Sequence, residues 1–322
     1  MTGPGDRRTV VIGGTGFIGR HICAEFAGAG HQLLVVARDP GKNTGGHRFV
    51  SLDLAHRNAP AEVVRLLRAE RPDVVVNAAG AVWSPTGAEL QDSNVRAAEH
   101  LVAALSALSS PPRLIHLGSV NEYAPMPRGV AVTENAPLRP VTGYGRSKLA
   151  GSLAVLRALA RDEMDGMLLR LANVTGPGLP RVSLLGKVAA QLATCAREGR
   201  PGVVRLYTMR AHRDFVDCKD AARAILAAAM APVSGRVVNI GRGQAVSVRQ
   251  LVSLLIDASG LSVQIVEDEP HTATRRGPPE AEWLEVDPRT AGELLAWSAF
   301  RPLEDSIGEL WLHARSRAGA MT

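Results

Sequence analysis

Short apolar runs alternate with amphipathic or alanine-rich stretches over the first 120 residues of the chain. Unbroken apolar runs are typical of parallel strands buried on both faces, and here they predict strands at 9–12, 32–37, 49–54, 74–76 and 114–117. Helical periodicity predicts helices between them at 17–29, 60–70 and 95–108. This alternation predicts an α/β fold with a doubly wound parallel sheet.

Helices and strands alternate less regularly in the second half of the chain. A helix from Tyr144 to about Ala160 precedes predicted helices at 183–199, 216–231, 247–260, 290–295 and 303–315. Strands are predicted at 237–240 and 263–266. We therefore expect a first domain over residues 1–174, with contributions from about 213–243, and a smaller cap over 175–322 that is interleaved with the sheet.

The turn after the first predicted strand is rich in glycine. Glycine lets the backbone turn sharply and approach a ligand closely, and the N terminus of the following helix offers N–H groups to an anion. Strand, glycine turn and helix in this order are the fingerprint of Rossmann-type dinucleotide binding. The candidate cofactor-binding residues in this turn are Gly13, Thr15, Gly16, Phe17, Ile18 and Gly19.

Residues at the ends of the next strands refine the cofactor prediction. Arg38 follows the second strand, where an acidic residue usually binds a ribose 2′-hydroxyl and an arginine suits a 2′-phosphate. Arg38 therefore favours NADP(H) over NAD(H), although the adjacent Asp39 is able to reach the ribose instead. Ala78 and Ala79 follow a later strand, and their small side chains let the backbone pass close to a cofactor.

Composition narrows the class of protein. A length of 322 residues, 46% of them hydrophobic and 21% charged, suits a globular protein with a large core. The net charge of +6 is spread along the chain without a basic run, so we expect no nucleic-acid partner. No apolar run has the length of a bilayer span and no signal-peptide core is present, which predicts a cytoplasmic protein without membrane contact. Three distant cysteines predict free thiols, and the scattered histidines predict no metal site.

Candidate catalytic residues lie at the start of the long central helix. Tyr144 and Lys148 are four residues apart and share one helical face. An ammonium beside a phenol stabilises the phenolate, which predicts a lowered pKa for Tyr144 and a general acid or base near neutral pH. Ser119 follows the strand at 114–117, so it lies at the carboxyl end of that strand, where α/β proteins bind their ligands. Its hydroxyl is able to polarise a carbonyl.

Taken together, these motifs resemble the extended short-chain dehydrogenases/reductases, the group that includes nucleotide-sugar epimerases, dehydratases and 4-ketoreductases. The resemblance covers nearly the whole chain. It implies a dimer formed through a four-helix contact. The stretches that carry it are GGTGFIG at 13–19, YGRSK at 144–148, LRLANVTGPG at 169–178, RDFVD at 213–217, RRG at 275–277 and DPR at 287–289.

The resemblance implies roles for individual residues. Ser119, Tyr144 and Lys148 would be the catalytic trio, the latter two also contacting the cofactor, and Asp53 and Leu54 would lie at the adenine. Arginine forms fork-shaped, charge-assisted bonds with phosphate oxygens, which suits the diphosphate of a nucleotide sugar as substrate. The residues expected at that diphosphate are Asn173, Arg213 and Arg275, with Arg276 an alternative to Arg275. Trp83 is a candidate wall of the sugar pocket.

Departures from the family's patterns select among its reactions. Members that eliminate water carry an Asp-Glu pair directly after the catalytic hydroxyl, where this chain has Val120 and Asn121, so elimination lacks its proton carriers. Family epimerases usually carry an acidic residue where this chain has Arg38, which favours a dissociable NADPH. We expect NADPH-dependent reduction of a keto group, at C-4, of a nucleotide-linked 6-deoxyhexose. The alternatives are a nucleotide-sugar 4-epimerase, a ketoreductase for a non-sugar ketone such as a polyketide, and a non-catalytic dinucleotide sensor.

Overall fold

Parallel strands form the central sheet of the protein. A computed structural model of the chain describes residues 7–39, 44–82, 86–207, 211–268 and 282–319. The strands in these residues are β1 (Arg8–Ile12), β2 (Gln32–Ala37), β3 (Arg48–Ser51), β4 (Val74–Asn77), β5 (Arg113–Ser119), β6 (Ala131–Val132), β7 (Gly166–Leu171), β8 (Asn173–Thr175), β9 (Gly202–Tyr207), β10 (His212–Asp217), β11 (Arg236–Ile240), β12 (Ala245–Ser247), β13 (Val263–Asp268) and β14 (Trp283–Val286).

Helices connect these strands. In the described residues they are α1 (Phe17–Gly28), α2 (Ala59–Glu70), α3 (Gly87–Leu90), α4 (Ala97–Ser106), α5 (Gly143–Ala160), α6 (Leu184–Glu198), α7 (Cys218–Met230), α8 (Val248–Ser259), α9 (Arg289–Leu295) and α10 (Leu303–Gly319). A π-helical segment, Gln91–Arg96, joins α3 to α4, and a 3₁₀ turn, Val120–Glu122, follows β5.

The central sheet has the strand order β3-β2-β1-β4-β5-β7-β11, and all of its neighbours are parallel. Val10 of β1 pairs with Leu34 of β2 on one side and with Val75 of β4 on the other. The strand order therefore reverses beside β1, and a crevice opens there at the carboxyl ends of the strands. The predicted Rossmann-type doubly wound sheet is confirmed.

Helices bury both faces of this sheet. On one face, α1, α7 and α9 contribute Phe26, Ile225 and Leu295 to a continuous apolar cluster. On the other face, α2 and α4 contribute Leu67 and Leu101 to a second cluster that also includes α5. Burial of each large apolar side chain stabilises the fold by about 1.5–3 kcal/mol, so the two clusters together hold the carboxyl edge of the sheet in place.

A second set of elements forms a smaller body. Its sheet has the order β12-β10-β14-β6, with β8 paired to β10, while β9 and β13 form a separate two-stranded pair. α6, α8 and α10 share an apolar core that includes Leu192, Leu255 and Leu310. β6 and β8 lie before residue 176, whereas β11 of the central sheet lies after it, so the two bodies are interleaved along the chain.

Several element boundaries differ from those predicted, each for a local reason. β3 ends at Ser51 instead of residue 54, because Asp53 begins a turn in which its carbonyl accepts the His56 N–H. α7 begins at Cys218 instead of residue 216, because β10 continues to Asp217, whose side chain caps the helix. The helix predicted from residue 95 starts at residue 87 and passes through the π-helical segment.

Two further expectations concern the chain as a whole. None of the described helices combines the length and apolar character needed to cross a membrane. Cys23, Cys195 and Cys218 are each buried, and none of them forms a disulfide, as expected for free thiols.

Candidate active site

The glycine turn joins β1 to α1 at the carboxyl edge of the central sheet. Gly13 has a φ of +79°, and a Cβ on Gly19 would lie 2.0 Å from the Gly13 carbonyl oxygen, so both positions require glycine. Among the described residues no side chain caps the N terminus of α1, and its first turn carries no acidic residue. The N–H groups and positive dipole end of α1 are therefore suited to a pyrophosphate.

A cavity of about 270 Å³ lies beside this turn. Arg38 and Asp39 are exposed and line it, so both are placed to contact a ribose substituent. The Asp53 carboxylate accepts the Ala55 N–H at 3.0 Å, which fixes the loop after β3. The predicted cofactor residues that line this cavity are Gly13, Thr15, Gly16, Arg38, Asp53, Leu54, Ala78 and Ala79.

A larger cavity of about 670 Å³ shares Gly16 and residues 78–80 with the smaller one, so the two form one trough along the sheet edge. The predicted residues that line it are Gly16, Phe17, Ile18, Gly19, Ala78, Ala79, Ser119, Tyr144, Lys148, Asn173 and Arg213. Each predicted site residue that the structure describes therefore lines one of the two cavities. Trp83 and Arg275 lie outside the described residues.

Ser119 ends β5 and caps the 3₁₀ turn that follows. Its Oγ accepts the backbone N–H and the side-chain amide N–H of Asn121, each at 3.2 Å. Its own backbone N–H donates to Glu122 Oε1 at 2.8 Å, which completes a capping box. Both the backbone and the side chain of Ser119 are held, so its hydroxyl has a fixed place in the cavity wall.

Tyr144 and Lys148 lie one turn apart on α5. The helix packs directly on the 3₁₀ turn because residue 145 is glycine: a Cβ at Gly145 would lie 2.2 Å from the Asn121 carbonyl oxygen. Lys148 Nζ donates a hydrogen bond to the Leu117 carbonyl oxygen at 2.6 Å. These two contacts bring the phenol and the ammonium to the end of β5, beside Ser119.

The ionisation of this pair differs from the expectation. Burial raises the pKa of the Tyr144 phenol to about 12; hydrogen bonding with Ser119 opposes the rise and the Glu122 charge adds to it. Burial lowers the pKa of the Lys148 ammonium, and the Glu122 charge opposes that change. The prediction of a lowered pKa for Tyr144 is wrong, because burial is the largest effect on this phenol and the Glu122 charge acts in the same direction. The phenol is protonated at neutral pH and is placed to act as an acid.

Asn94 is a cavity residue whose role the sequence did not reveal. Its side chain accepts the Ala81 N–H and donates to the Ala81 carbonyl, each at 2.9 Å. It also donates to Ser147 Oγ of α5 at 2.9 Å. The π-helical segment that contains Asn94 turns this side chain inward, so that it ties the loop after β4 to α5. In the sequence, Asn94 is a polar residue directly before a predicted alanine-rich helix. That position is equally typical of a helix cap, so it did not indicate a residue of the cavity.

The smaller body contributes Asn173 of β8 and Arg213 of β10 to the larger cavity. Asn173 Nδ2 donates to the Asp214 carbonyl oxygen at 3.1 Å, which joins the two strands. The Asp214 carboxylate accepts the backbone N–H groups of Arg242 and Gly243 at 2.9 and 2.8 Å. Apolar residues that line this part of the cavity are Leu179, Pro180, Leu184, Leu185, Phe215, Val248 and Leu251.

A buried polar network, which no sequence pattern predicted, lies behind the 3₁₀ turn. Glu122 accepts Arg170 Nε and Ser152 Oγ, each at 2.8 Å. Arg170 Nη1 donates to Tyr123 Oη at 2.9 Å, and Tyr123 Oη donates to Asn239 Oδ1 at 2.8 Å. These bonds offset the desolvation of a buried ion pair, whose side chains are only 2% and 0% exposed.

Known proteins that resemble this chain include enzymes that bind a nicotinamide cofactor and a nucleotide sugar. A sequence profile of the NAD dependent epimerase/dehydratase family matches residues 9–241. The chain is 41% identical, over 97% of each chain, to a dTDP-6-deoxy-L-talose 4-dehydrogenase (NAD(P)(+)) from Kitasatospora kifunensis. RMD from Pseudomonas aeruginosa complexed with NADPH matches with a TM-score of 0.83 at 23% identity, over 98% of this chain and 100% of that one. MoeE5 in complex with UDP-glucuronic acid and NAD matches with a TM-score of 0.81 at 25% identity, over 96% and 99%.

The matched region includes the glycine turn, the 3₁₀ turn and α5, which are the elements that build the site. The prediction of an NAD(P)-dependent oxidoreductase is confirmed by these likenesses. The chain belongs to the NAD dependent epimerase/dehydratase family, the extended short-chain dehydrogenases/reductases that its motifs predicted.

Proposed function

We propose that this chain uses NADPH to reduce a keto group, at C-4, of a nucleotide-linked 6-deoxyhexose. The observation that carries the proposal is the meeting of Ser119, Tyr144 and Lys148 at one wall of the larger cavity. The name of the relative at 41% identity, a 6-deoxy-L-talose 4-dehydrogenase, supports both the sugar class and the position of the keto group.

The trough fits an extended dinucleotide. The uncapped N terminus of α1 suits the pyrophosphate, and Arg38 at the other side of the smaller cavity suits a ribose 2′-phosphate. A nicotinamide cofactor bound here supplies the hydride. Lys148 has three N–H groups, of which one is used on the Leu117 carbonyl, and the others are available to the nicotinamide ribose.

Tyr144 and Ser119 act on the ketone oxygen, which gains a proton in the reaction. Reduction of a ketone adds a hydride to carbon and a proton to oxygen. The pKa of Tyr144, raised to about 12, keeps its phenol protonated at neutral pH, as a proton donor to the new alkoxide must be. The Ser119 hydroxyl donates a hydrogen bond to the same oxygen and stabilises the charge that develops on it.

Arg213 and Asn173 line the cavity beyond the trio, where the diphosphate of the substrate would bind. The apolar residues of the smaller body border that region and suit the sugar's 6-methyl group or the nucleobase. Contacts from Arg275 and Trp83, a homodimer and a cytoplasmic location stay predictions from the sequence.

A panel of nucleotide-linked 4-keto-6-deoxysugars, incubated with NADPH or NADH, tests the proposal. We expect one mole of NADPH to be consumed per mole of C-4 alcohol formed, identified by NMR of the product. A non-sugar ketone in the panel tests the polyketide alternative. Conversion of a 4-hydroxy sugar to its epimer with no net cofactor consumption would instead establish a 4-epimerase.

The cofactor preference has its own test in two neighbouring residues. Arg38→Ala removes a charge-assisted bond to the 2′-phosphate, so KM for NADPH should rise about tenfold while KM for NADH is unchanged. Asp39→Ala is the matched control, and it should affect NADH alone. A loss of NADH affinity in the Arg38 variant would contradict the assignment of Arg38 to the 2′-phosphate.

A further inference from the structure

The Ser119 hydroxyl is bonded twice by one neighbour. The backbone N–H and the side-chain amide N–H of Asn121 both reach Ser119 Oγ at 3.2 Å. A serine hydroxyl has two acceptor lone pairs and one hydrogen. With both lone pairs engaged by Asn121, the hydrogen is the one polar atom of this hydroxyl left for another partner.

The partner available to that hydrogen lies in the cavity. Ser119, Asn121 and Tyr144 line the same wall of the larger cavity. Burial raises the pKa of Tyr144, and a hydrogen bond with Ser119 acts in the opposite direction, as a bond donated to the phenolate oxygen would. With its lone pairs engaged by Asn121, the Ser119 hydroxyl has its hydrogen to donate on this side of the cavity, where Tyr144 lies and where the reacting oxygen of a ketone would lie.

The position of Asn121 is fixed from two sides. The Glu122 carboxylate accepts the Ser119 N–H at 2.8 Å and closes the 3₁₀ turn that contains Asn121. The absence of a side chain at Gly145 lets α5 pack on the Asn121 carbonyl. The backbone of Asn121 is thus held between β5 and α5, and from this position its side-chain amide reaches Ser119 Oγ.

We propose that Asn121 is a positioning residue: it engages the lone pairs of the Ser119 hydroxyl, so that the single hydrogen of that hydroxyl is donated to Tyr144 in the free protein and to the reacting oxygen when a ketone is bound. The inference rests on the reduction proposed above. An amide suits this task because, unlike a carboxyl group, it neither accepts nor releases a proton at neutral pH. Asn121 thereby fixes the direction of the Ser119 bond without offering a second acid or base.

Charged side chains from two elements line the cavity that contains Asn121. Lys148 lies on α5 and Arg213 on β10, and both line the same cavity as Asn121. Glu122 is adjacent in the turn but is paired with the buried Arg170 of β7. Asn121→Ala changes no charge, so any shift in Tyr144 ionisation in that variant is free of a new Coulomb effect.

The first arm of the test measures the ionisation of Tyr144 without a substrate. Fluorinated tyrosine is incorporated to make the phenol more acidic, and the Tyr144 resonance is assigned by comparison with Tyr144→Phe and followed by ¹⁹F NMR against pH. We expect Asn121→Ala to raise the Tyr144 pKa by about half a unit, because the hydrogen bond that Ser119 donates to the Tyr144 phenolate is weakened when Asn121 no longer orients the Ser119 hydroxyl. Thermal melts confirm that each variant is folded.

A double-variant comparison shows whether Asn121 acts through Ser119. In the Ser119→Ala background the Asn121→Ala change should leave the Tyr144 pKa where it is, because the intermediary hydroxyl is gone. Equal shifts in both backgrounds, or no shift in either, would overturn the proposal.

The second arm measures reduction of the panel ketone. Asn121→Asp places an acceptor beside Ser119 Oγ, so kcat should fall about tenfold at neutral pH and recover as the new carboxyl group is protonated in mild acid. A kcat that is pH-independent relative to the unmodified protein would contradict the proposal. If the unmodified protein reduces no ketone, the proposed function fails, whereas the ¹⁹F arm still decides the role of Asn121.

Discussion

On the cavity side of the 119–122 turn, polar side chains keep hydrogen-bonding capacity for a ligand, whereas on the sheet side they bond to one another. Ser119 and Asn121 face the cavity with Tyr144. Glu122 faces the sheet, where it accepts hydrogen bonds from Arg170 and from a serine of α5. The 119–122 turn thus contributes side chains both to the candidate active site and to the buried polar network on the sheet side.

The difference between the two sides is one of energetics. On the sheet side, burial lowers the pKa of Arg170, but Glu122 and Tyr123 outweigh that effect and hold it above its usual value, so the guanidinium stays charged. On the cavity side, burial raises the pKa of Tyr144, and the hydrogen bond with Ser119 offsets only part of that rise. We therefore expect substitutions on the cavity side to lower activity and those on the sheet side to lower stability.

The largest expected effect is the loss of the Tyr144 hydroxyl. Tyr144→Phe removes the proton donor, so kcat should fall about 10³- to 10⁴-fold, which corresponds to about 4–5 kcal/mol of barrier. NADPH affinity, measured by fluorescence titration, should stay the same. Near-normal turnover would rule out the proposed mechanism.

Tyr123→Phe is the same chemical change on the sheet side. It removes the hydroxyl that links Arg170 to Asn239, so it should lower the free energy of unfolding by about 1–3 kcal/mol and leave kcat within a few fold. A reversal, with Tyr123→Phe inactive and Tyr144→Phe merely unstable, would break the comparison between the two sides.

The next effect concerns the buried ion pair. Glu122→Gln keeps the shape of the side chain but leaves the Arg170 charge uncompensated, which should lower the free energy of unfolding by about 3–5 kcal/mol in urea denaturation. Glu70→Gln, in the exposed pair with Arg48, is the matched control and should leave the urea midpoint unchanged. The double change Glu122→Gln with Arg170→Met removes both charges and should recover most of the loss.

The Ser119 hydroxyl is expected to matter somewhat less than the Tyr144 hydroxyl. Ser119→Ala removes one donor to the developing oxyanion, so kcat should fall about 10²- to 10³-fold, with a loss of about 1 kcal/mol of stability because the same hydroxyl caps the 3₁₀ turn. Ser152→Ala deletes the corresponding hydroxyl on the sheet side, where it donates to Glu122, and should cost about 1 kcal/mol of stability with kcat preserved. Equal losses of kcat in both variants would show that the turn acts as one structural unit.

How far the sequence predicts this molecule depends on the range of the interactions. Six of the seven strands of the central sheet and the glycine turn were predicted because their signals are local: unbroken apolar runs, and glycines where a Cβ would collide with backbone. β6, β8, β12 and β14 were missed because they are two to four residues long and pair only with distant partners. β7, β9 and β10 were missed as well, because charged residues interrupt their apolar runs.

The same division holds within the site. Tyr144 and Lys148 are four residues apart on one helix, so their proximity could be read from their spacing. Glu122 and Arg170 are 48 residues apart, and no pattern in the sequence around either residue predicts their ion pair. The direction of the Tyr144 pKa was wrong for the same reason, because burial depends on elements packed around the phenol that spacing does not reveal.

The smallest expected effect lies beneath the cavity side, at His116 of β5. The ring is fully buried, its Nδ1 lies 3.1 Å from the Asn77 amide, and its Nε2 has no hydrogen-bond partner in the described residues. Burial lowers the pKa of His116 well below its usual value, and the Lys148 charge lowers it further. The folded protein therefore keeps this imidazole neutral where the unfolded chain binds a proton.

That difference makes stability depend on pH with a definite sign. Below an unfolded pKa of about 6.5, the unfolded chain binds the extra proton, so the free energy of unfolding should fall by about 1.4 kcal/mol per pH unit for this group. His116→Gln cannot titrate and should show a correspondingly shallower slope in urea denaturation between about pH 7 and 5. Other histidines with lowered pKa, such as His21 and His31, are present in both proteins, so the difference isolates His116. Identical slopes of unfolding free energy against pH in the two proteins would mean that His116 also binds a proton in the folded state. The surroundings of its ring would then be more polar than its burial implies.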